Sequence, residues 1–194
     1  MKRPSLFVAG VIAITFSVFP SGCGERNHQG SKTFPNGSRY IGEMKDGQPN
    51  GQGTMTLQDG SMYVGTWKNG KPNGQGTLTS MNGSYVGQFR DGQRSGQGTL
   101  TFPDGRSYVG EFENDEPNGR GTEAFLNGAG YVGEFRAGRA NGQGTMTYID
   151  GRKYVGRFKD GQMDGTGKMT YPNGKVEDGV WKDNNIVGTS TPPK

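Results

Sequence analysis

The sequence predicts an all-β protein: an elongated, twisted, single-layer antiparallel sheet of tandem β-hairpins. Asn-Gly and Asp-Gly turns recur between short alternating segments. Leu, Ile, Val and Phe account for only 31 of 194 residues, too few for an ordinary globular core. Equivalent tyrosines recur every 22 or 23 residues, and they begin units one to six: Tyr40, Tyr63, Tyr85, Tyr108, Tyr131 and Tyr154. A constant long period with few apolar residues is typical of repeat proteins whose units contact only their neighbours.

Residues 1–22 have the features of a signal peptide. Met1-Lys2-Arg3 is basic, Leu6 to Phe19 is mostly apolar, and small residues follow. As a helix, this apolar run spans about 21 Å, short of the roughly 30 Å hydrocarbon core of a bilayer. The segment therefore predicts export of the protein rather than a membrane-spanning helix.

Cys23 is the only cysteine of the sequence, so no intramolecular disulfide is expected. With Ser21-Gly22 before it, the segment resembles the lipobox of bacterial lipoproteins, although Pro20 stands where that family prefers Leu. The resemblance implies that Cys23 is acylated, that residues 23–26 are a short tether, and that the protein is a lipoprotein of the cell membrane or outer membrane. Ordinary cleavage, giving a secreted or periplasmic protein, and a retained anchor are the alternatives.

The strand that opens each unit alternates between two faces. In unit two, Tyr63, Gly65 and Trp67 lie at even offsets and share one face, whereas Val64 lies on the other. A glycine between two aromatic residues leaves a gap in the surface. We expect an aromatic side chain from an adjoining strand to lie over Gly65.

Two turns and an alternating strand complete each unit. Lys68 to Gly74 forms the first turn of unit two, and a Gly-Thr-Leu-Thr segment follows it. A second Asn-Gly or Asp-Gly turn then leads to the next unit. The predicted repeat domain covers residues 27–188, with six full 23-residue units and a half-unit at each end, or fourteen strands. Residues 189–194 are expected to form a disordered tail.

The pattern Tyr-x-Gly-x-aromatic-x-x-Gly-x-x-x-Gly-x-Gly, at a period of 23 residues, resembles the MORN repeat family over about residues 27–188. Degenerate Glu177 occupies the tyrosine position of the last copy. The resemblance implies an elongated single-layer antiparallel sheet. It also implies a scaffold that often self-associates, and it links the repeats to acidic phospholipid headgroups.

The composition argues against catalysis and nucleic-acid binding. Nucleophilic, acid–base and zinc chemistry need His, Cys or converging carboxylates, and the one His and one Cys lie outside the full repeats. We therefore expect no enzyme activity, catalytic residue, metal or cofactor. Without residues 1–22 the chain has 20 basic and 18 acidic residues, a balance that does not favour nucleic acid.

Two kinds of partner remain: an unknown protein or a second copy of the chain, and anionic phospholipid. Scattered solubilising charges are the alternative interpretation of the cations, and internal packing is the alternative for the aromatic side chains. Trp67 and Trp181 are expected to be the most exposed aromatic residues. The candidate partner-binding aromatics are Tyr63, Trp67, Tyr85, Phe89, Tyr108, Phe112, Tyr131, Phe135, Tyr154, Phe158 and Trp181. The candidate headgroup contacts are Lys68, Lys71, Arg90, Arg94, Arg136 and Arg139.

Unit four departs most from the pattern. Asp115 replaces a turn glycine, and Glu123-Ala124 replaces the usual Met/Leu-Thr. With Glu111, Glu113 and Glu116, the unit has five clustered carboxylates. They predict either a cation or basic-partner site, or a solvated turn beside a locally frayed strand.

Overall fold

Residues 27–189, which the computed structural model describes, form one sheet of fifteen strands in sequence order, each antiparallel to the next. This confirms the predicted all-β, single-layer fold. The strands are β1 His28–Thr33, β2 Arg39–Lys45, β3 Gln48–Thr56, β4 Met62–Lys68, β5 Lys71–Ser80, β6 Gly83–Arg90, β7 Gln93–Thr101, β8 Ser107–Glu113, β9 Glu116–Ala124, β10 Gly130–Arg136, β11 Arg139–Thr147, β12 Lys153–Lys159, β13 Gln162–Thr170, β14 Val176–Lys182 and β15 Asn185–Thr189. The signal segment, Cys23 and residues 190–194 lie outside the described residues.

The strand count of fourteen was wrong by one, because the chain turns again after β14. Asp183 and Asn184 adopt φ angles of 47° and 67°, and Asn185–Thr189 returns as β15. Asp and Asn tolerate this left-handed conformation better than other residues with side chains, so an Asp-Asn pair makes a turn without glycine. The sheet consequently extends to Thr189, one residue beyond the predicted boundary.

Both kinds of predicted turn are confirmed. Asn69 and Gly70 close the hairpin of unit two with φ angles of 49° and 77°, which match the twist of the flanking strands. In six turns between units, a side-chain oxygen of Asp or Asn accepts the backbone N–H two residues later. The bond from the Ser61 N–H to Asp59 Oδ1 is 2.9 Å long, and it lowers the pKa of Asp59.

One face of the sheet, which we call the covered face, contains a continuous ladder of aromatic rings. Each Phe or Trp of the ladder packs edge-on against the tyrosine of the unit before and, except for Trp181, against the tyrosine of its own unit. Trp67, for example, lies 5.0 Å from Tyr63 and 5.3 Å from Tyr40, measured between ring centroids. The ladder runs in contact order through Tyr40, Trp67, Tyr63, Phe89, Tyr85, Phe112, Tyr108, Phe135, Tyr131, Phe158, Tyr154 and Trp181. A single layer thus buries its core by packing side chains along the sheet.

The gap at each glycine is filled by the tyrosine of the same unit, not by an aromatic residue from an adjoining strand as expected. A Cβ atom on Gly65 would lie 2.7 Å from the Tyr63 hydroxyl, and one on its cross-strand neighbour Gly76 would lie 2.6 Å from the Tyr63 ring. The ring therefore lies back over both glycines. Only residues without a side chain leave room for it.

The tyrosine hydroxyl also satisfies a backbone irregularity that recurs in units one to six. The pairing of β4 with β5 shifts register between Gly65 and Trp67, where Asn73, Gly74 and Gln75 of β5 bulge opposite the single residue Thr66. Tyr63 donates its hydroxyl hydrogen to the Thr66 carbonyl at 3.0 Å. The other five tyrosines bond the carbonyl three residues later in the same way. Burial raises the pKa of Tyr63 to about 12, so the hydroxyl keeps its proton at physiological pH.

Trp67 and Trp181 are buried, each only 4% exposed, which contradicts the expectation that they are the exposed aromatics. Each indole N–H donates to a backbone carbonyl, from Trp67 to Gly53 at 3.2 Å and from Trp181 to Gly167 at 2.9 Å. Both rings pack against the tyrosine of the preceding unit. Because that tyrosine is present even for the outermost tryptophans, a position near the end of the repeats does not expose them.

Candidate functional site: the open face and the hairpin ends

The opposite face, which we call the open face, has no layer over it within residues 27–189. The residue after each tyrosine points to this face, and Val64, Val86 and Val132 are 41%, 53% and 56% exposed. Threonines of the intervening strands stand opposite them, so that Val64 pairs with Thr54 and Thr77. The exposed β-branched row is Ile41, Val64, Val86, Val109, Val132 and Val155.

The eleven candidate partner-binding aromatics all lie on the covered face, where none is more than 6% exposed. Their rings contact one another and the glycines beneath them. A partner could reach them only by opening the sheet. The exposed apolar side chains of these strands therefore lie on the open face, as the alternation within Tyr-Val-Gly indicates for the valine.

Charged side chains gather where each hairpin closes, and three of these ends carry a like-charge pair. Lys68 stands opposite Lys71. Glu113 stands opposite Glu116. Arg136 stands opposite Arg139. Like charges directly across a strand pair destabilise the sheet by a few tenths of a kcal/mol or more.

A groove of about 750 Å³ lies between the hairpin ends of units five and six. Arg136, Arg139, Arg157 and Lys159 contribute four cations to its lining, and two aspartates offset part of their charge. The corresponding groove between units three and four, about 550 Å³, is lined instead by Glu111, Glu113 and Asp91 with one arginine. The sign of the charge on this side of the sheet therefore changes between neighbouring units.

Arg94, a candidate headgroup contact, is held inside the sheet. Its backbone N–H donates to Asp115 Oδ1 at 2.9 Å, and its Nε lies 3.3 Å from the same oxygen. The guanidinium carbon lies 5.6 Å from the ring centroids of both Tyr85 and Phe112, a cation–π arrangement. Arg94 is thus the least available of the six cations proposed to contact headgroups.

The Asp115 contact also explains the first anomaly of unit four. Arg94 stands where units one, two and four carry proline, which has no N–H to satisfy. Arg94 presents an N–H instead, and the side chain of Asp115, in the turn 21 residues later, accepts it. Met163 makes the same kind of hydrogen bond, because its N–H donates to Asn184 Oδ1 at 2.9 Å. A comparison of sequence positions 21 residues apart would have revealed this coupling.

The five carboxylates of unit four do not converge. Asp115 pairs with Arg94, Glu111 accepts the Arg120 N–H at 3.1 Å, and the side chain of Glu123 points to the covered face. Within residues 27–189 no group of three acidic, His or Cys side chains could hold a metal ion. The strand is not frayed either, because β9 pairs with both β8 and β10 along its length.

Glu123 occupies a position that Met or Leu fills in the other complete units. It stands opposite Tyr108 on one side and Tyr131 on the other. Loss of solvent around the half-buried carboxyl raises its pKa, and the positive charge of Arg106 opposes the rise. A carboxylate in the apolar row destabilises unit four relative to its neighbours.

His28, the only histidine of the sequence, lies exposed on the edge strand β1. Among residues 27–189 no helix has the length and apolarity that crossing a membrane requires.

Comparison with known proteins identifies the repeats and little else. A MORN repeat model matches residues 40–62, 63–84, 85–105, 108–129, 131–151 and 154–176. No curated protein matches the chain.

Among solved structures, the SAS-4 (dCPAP) TCP domain of Drosophila melanogaster, in complex with a proline-rich motif of Ana2 (dSTIL), is 15% identical, with a TM-score of 0.44 over 85% of this chain and 97% of that one. The G-box domain of the microcephaly protein CPAP is 19% identical, with a TM-score of 0.39 over 79% and 93%. A mutant of the TCP10 domain of Danio rerio CPAP is 16% identical, with a TM-score of 0.31 over 77% and 82%. Similarity at this level supports no functional argument.

Replacing Glu123 by Met should stabilise the protein by about 1 kcal/mol at neutral pH, because it restores an apolar side chain to the row. The folded-state pKa of Glu123 is raised, so the wild-type protein gains stability as the carboxyl becomes protonated in acid. The advantage of Glu123→Met should therefore shrink as the pH falls towards 4.5, the ordinary pKa of the group.

Urea midpoints at neutral pH and in acid measure the difference. Glu116→Met, at an exposed hairpin end of the same unit, is the control and should change stability by less than about 0.5 kcal/mol. Equal gains from both variants, or a gain that does not depend on pH, would contradict this account of Glu123.

Proposed function

Since this chain belongs to the MORN repeat family, whose model matches six successive units, we propose that it is a non-catalytic scaffold of the cell envelope. It works by protein interaction or self-association. The open face is the observation that carries the proposal. Ile41, Val86 and Val132 are each more than half exposed, on a sheet whose other face is fully packed. Exposed apolar rows of this kind mark interaction surfaces in soluble proteins.

The proposal assigns no chemistry to the chain. The repeats use their tyrosines, glycines and aromatic rings to hold the sheet together, and the hydroxyls are committed to backbone carbonyls. His28 stands on an edge strand without an acidic partner among the hydrogen bonds of the described residues. A scaffold needs only a rigid surface whose repeat units differ from one another. Units four to six differ in the charges that they expose.

Binding of phospholipid headgroups is the second candidate function. The like-charge pairs Lys68/Lys71 and Arg136/Arg139 favour it, because an anionic surface would relieve their repulsion. Glu113 and Glu116 oppose it, since they occupy the equivalent hairpin end between these two pairs. We rank it below the protein scaffold for that reason.

Photo-crosslinking in the native host distinguishes the two functions. With a benzophenone amino acid at Val64 or Val132 of the open face, the scaffold predicts adducts of protein mass. A control at Gln58, exposed at a turn between units, should give none. Adducts of lipid mass from a probe at Lys71, with no protein adduct from the open face, would favour the headgroup function instead. No adduct above the Gln58 control would contradict both.

The envelope location rests on the N-terminal segment, with its basic start, apolar run and Cys23. Acylation of Cys23 predicts that palmitate supplied to growing cells labels the wild-type protein and that the label disappears in Cys23→Ser. Fractionation should find the wild type with membranes. Equal labelling of both forms, or none in the wild type, would contradict the anchor and leave cleaved export as the alternative.

A further inference from the structure

The open face of units four to six is complementary to itself. We propose that two copies of this chain pack open face against open face, about a two-fold axis that runs parallel to the strands and passes over Val132 on β10. The inference rests on the proposed scaffold function and names its partner as a second copy. Three features support it: the symmetry of the apolar row, the charges beside it, and the smaller number of matched charges in other registers.

The apolar row is symmetric about β10. A shallow groove of about 610 Å³ on the open face is lined by Val109, Thr122, Val132, Thr145 and Val155, one from each strand of β8 to β12. These residues stand side by side in register across the five strands. A two-fold rotation over β10 exchanges β8 with β12 and β9 with β11. Valine then meets valine and threonine meets threonine of the second copy, with Val132 on the axis.

The same rotation brings opposite charges together. Glu111 lies two residues beyond Val109, and Arg157 lies two residues beyond Val155, so the two stand at the same height on exchanged strands. Residues at the hairpin ends also stand at equal heights on exchanged strands. Glu111 faces Arg157, Glu113 faces Lys159, and Glu116 faces Arg139 of the second copy. Complementary charges of this kind fix the register of an interface more than they add to its affinity.

Within one copy these charges lack ionic partners. No ion pair among the described residues joins Glu113, Glu116, Arg139 or Lys159 to an opposite charge within 4.0 Å. Glu113 is hydrogen-bonded only to the neutral amide of Asn118, at 2.6 Å. The like-charge pair Glu113/Glu116 is unfavourable in an isolated chain, and the second copy sets Lys159 and Arg139 against it.

The strand on the axis is the unfavourable part of the pairing. Glu134 and Arg136 alternate along β10 on the open face, and the rotation sets each opposite the same residue of the second copy. The three matched pairs on each side of the axis outweigh the like charges on this one strand.

Other registers match fewer charges. The hairpin ends of units one to three carry Lys45, Lys68, Lys71 and Arg90. An axis over β7 would set Glu113 opposite Arg90 and Glu116 opposite Lys71, but it would also set Lys68 opposite Arg136 and leave Glu111 opposite the neutral Gln88. The axis over β10 matches three pairs on each side instead of two.

The patch is small. Five strands about 4.8 Å apart and seven residues long cover about 24 by 23 Å. Specific interfaces bury about 600–800 Å² per partner, and a patch of this size falls at or below that range. The dimer should therefore be weak, and it should weaken further as salt screens its charges.

Site-specific crosslinking tests the axis directly. In full-length protein carrying Cys23→Ser, which removes the only natural cysteine, Val132→Cys should be joined by a short bismaleimide into a species of twice 20.8 kDa. Val86→Cys is the matched control, since it has the same position in unit three and a similar exposure, 53% against 56%. Failure of Val132→Cys to crosslink, or equal crosslinking of Val86→Cys, would overturn the proposal.

Charge exchange tests the register. The test uses two double variants of the Val132→Cys protein. One carries Glu113→Lys and Glu116→Arg, and the other carries Arg139→Glu and Lys159→Glu. Each variant alone should crosslink at least tenfold less than the parent protein. An equimolar mixture of the two variants should restore crosslinking, because each supplies the charges that the other lacks. A mixture no better than its components would overturn the pairing. If the photo-crosslinked adducts at Val132 always contain a different protein and never two copies of this chain, this dimer is overturned while the scaffold function stays intact.

Discussion

The fold depends on one contact, the tyrosine ring that lies over a pair of cross-strand glycines. A single-layer sheet has no second layer with which to form a core, so its apolar side chains must bury themselves along its own surface. Tyr85 does this by lying over Gly87 and Gly98, with its hydroxyl bonded to the Gln88 carbonyl at 3.0 Å. The contact joins the two strands of a unit, satisfies the bulge, and presents the ring to Phe89 and to Phe112 of the next unit. The glycines, the bulge and the near-constant period all follow from it.

Because the covered face is complete in itself, the open face is free to vary. The tyrosine, the two glycines beneath its ring and the Val or Ile after the tyrosine recur in all six full units, whereas the exposed positions nearer the hairpin ends differ from unit to unit. Unit four uses this freedom to place Glu111, Glu113 and Glu116 beside the cations of units five and six. The same unit tolerates Glu123 in the apolar row, since its neighbours on both sides stay packed. Differences among the copies, more than the shared motif, therefore carry the proposed function.

The sequence was sufficient to predict the architecture because its signals are local and repeated. Alternation placed Tyr63 and Val64 on opposite faces, and Asn-Gly or Asp-Gly turns marked most of the hairpins. The contacts that were missed involve distance along the chain or the direction of a side chain. A glycine gap does not reveal that Tyr63 folds back over its own strand, nor that Trp67 has neighbours enough to be buried. The contact between Arg94 and Asp115 joins residues 21 positions apart in the sequence. The last turn has no glycine, so the sequence held no turn signal from which to predict β15.

The role of the tyrosine-over-glycine contact can be measured most directly by adding one methyl group beneath a ring. Gly98→Ala places a Cβ 2.5 Å from ring carbons of Tyr85, at a glycine whose backbone conformation any residue can adopt. Gly188→Ala places a Cβ in open space on the edge strand and is the control. Denaturant unfolding should show a loss of about 2 kcal/mol for Gly98→Ala and almost none for Gly188→Ala. Hydrogen exchange should also show lost protection in units three and four together. Equal stability of the two variants would contradict the claim that this contact holds the sheet together.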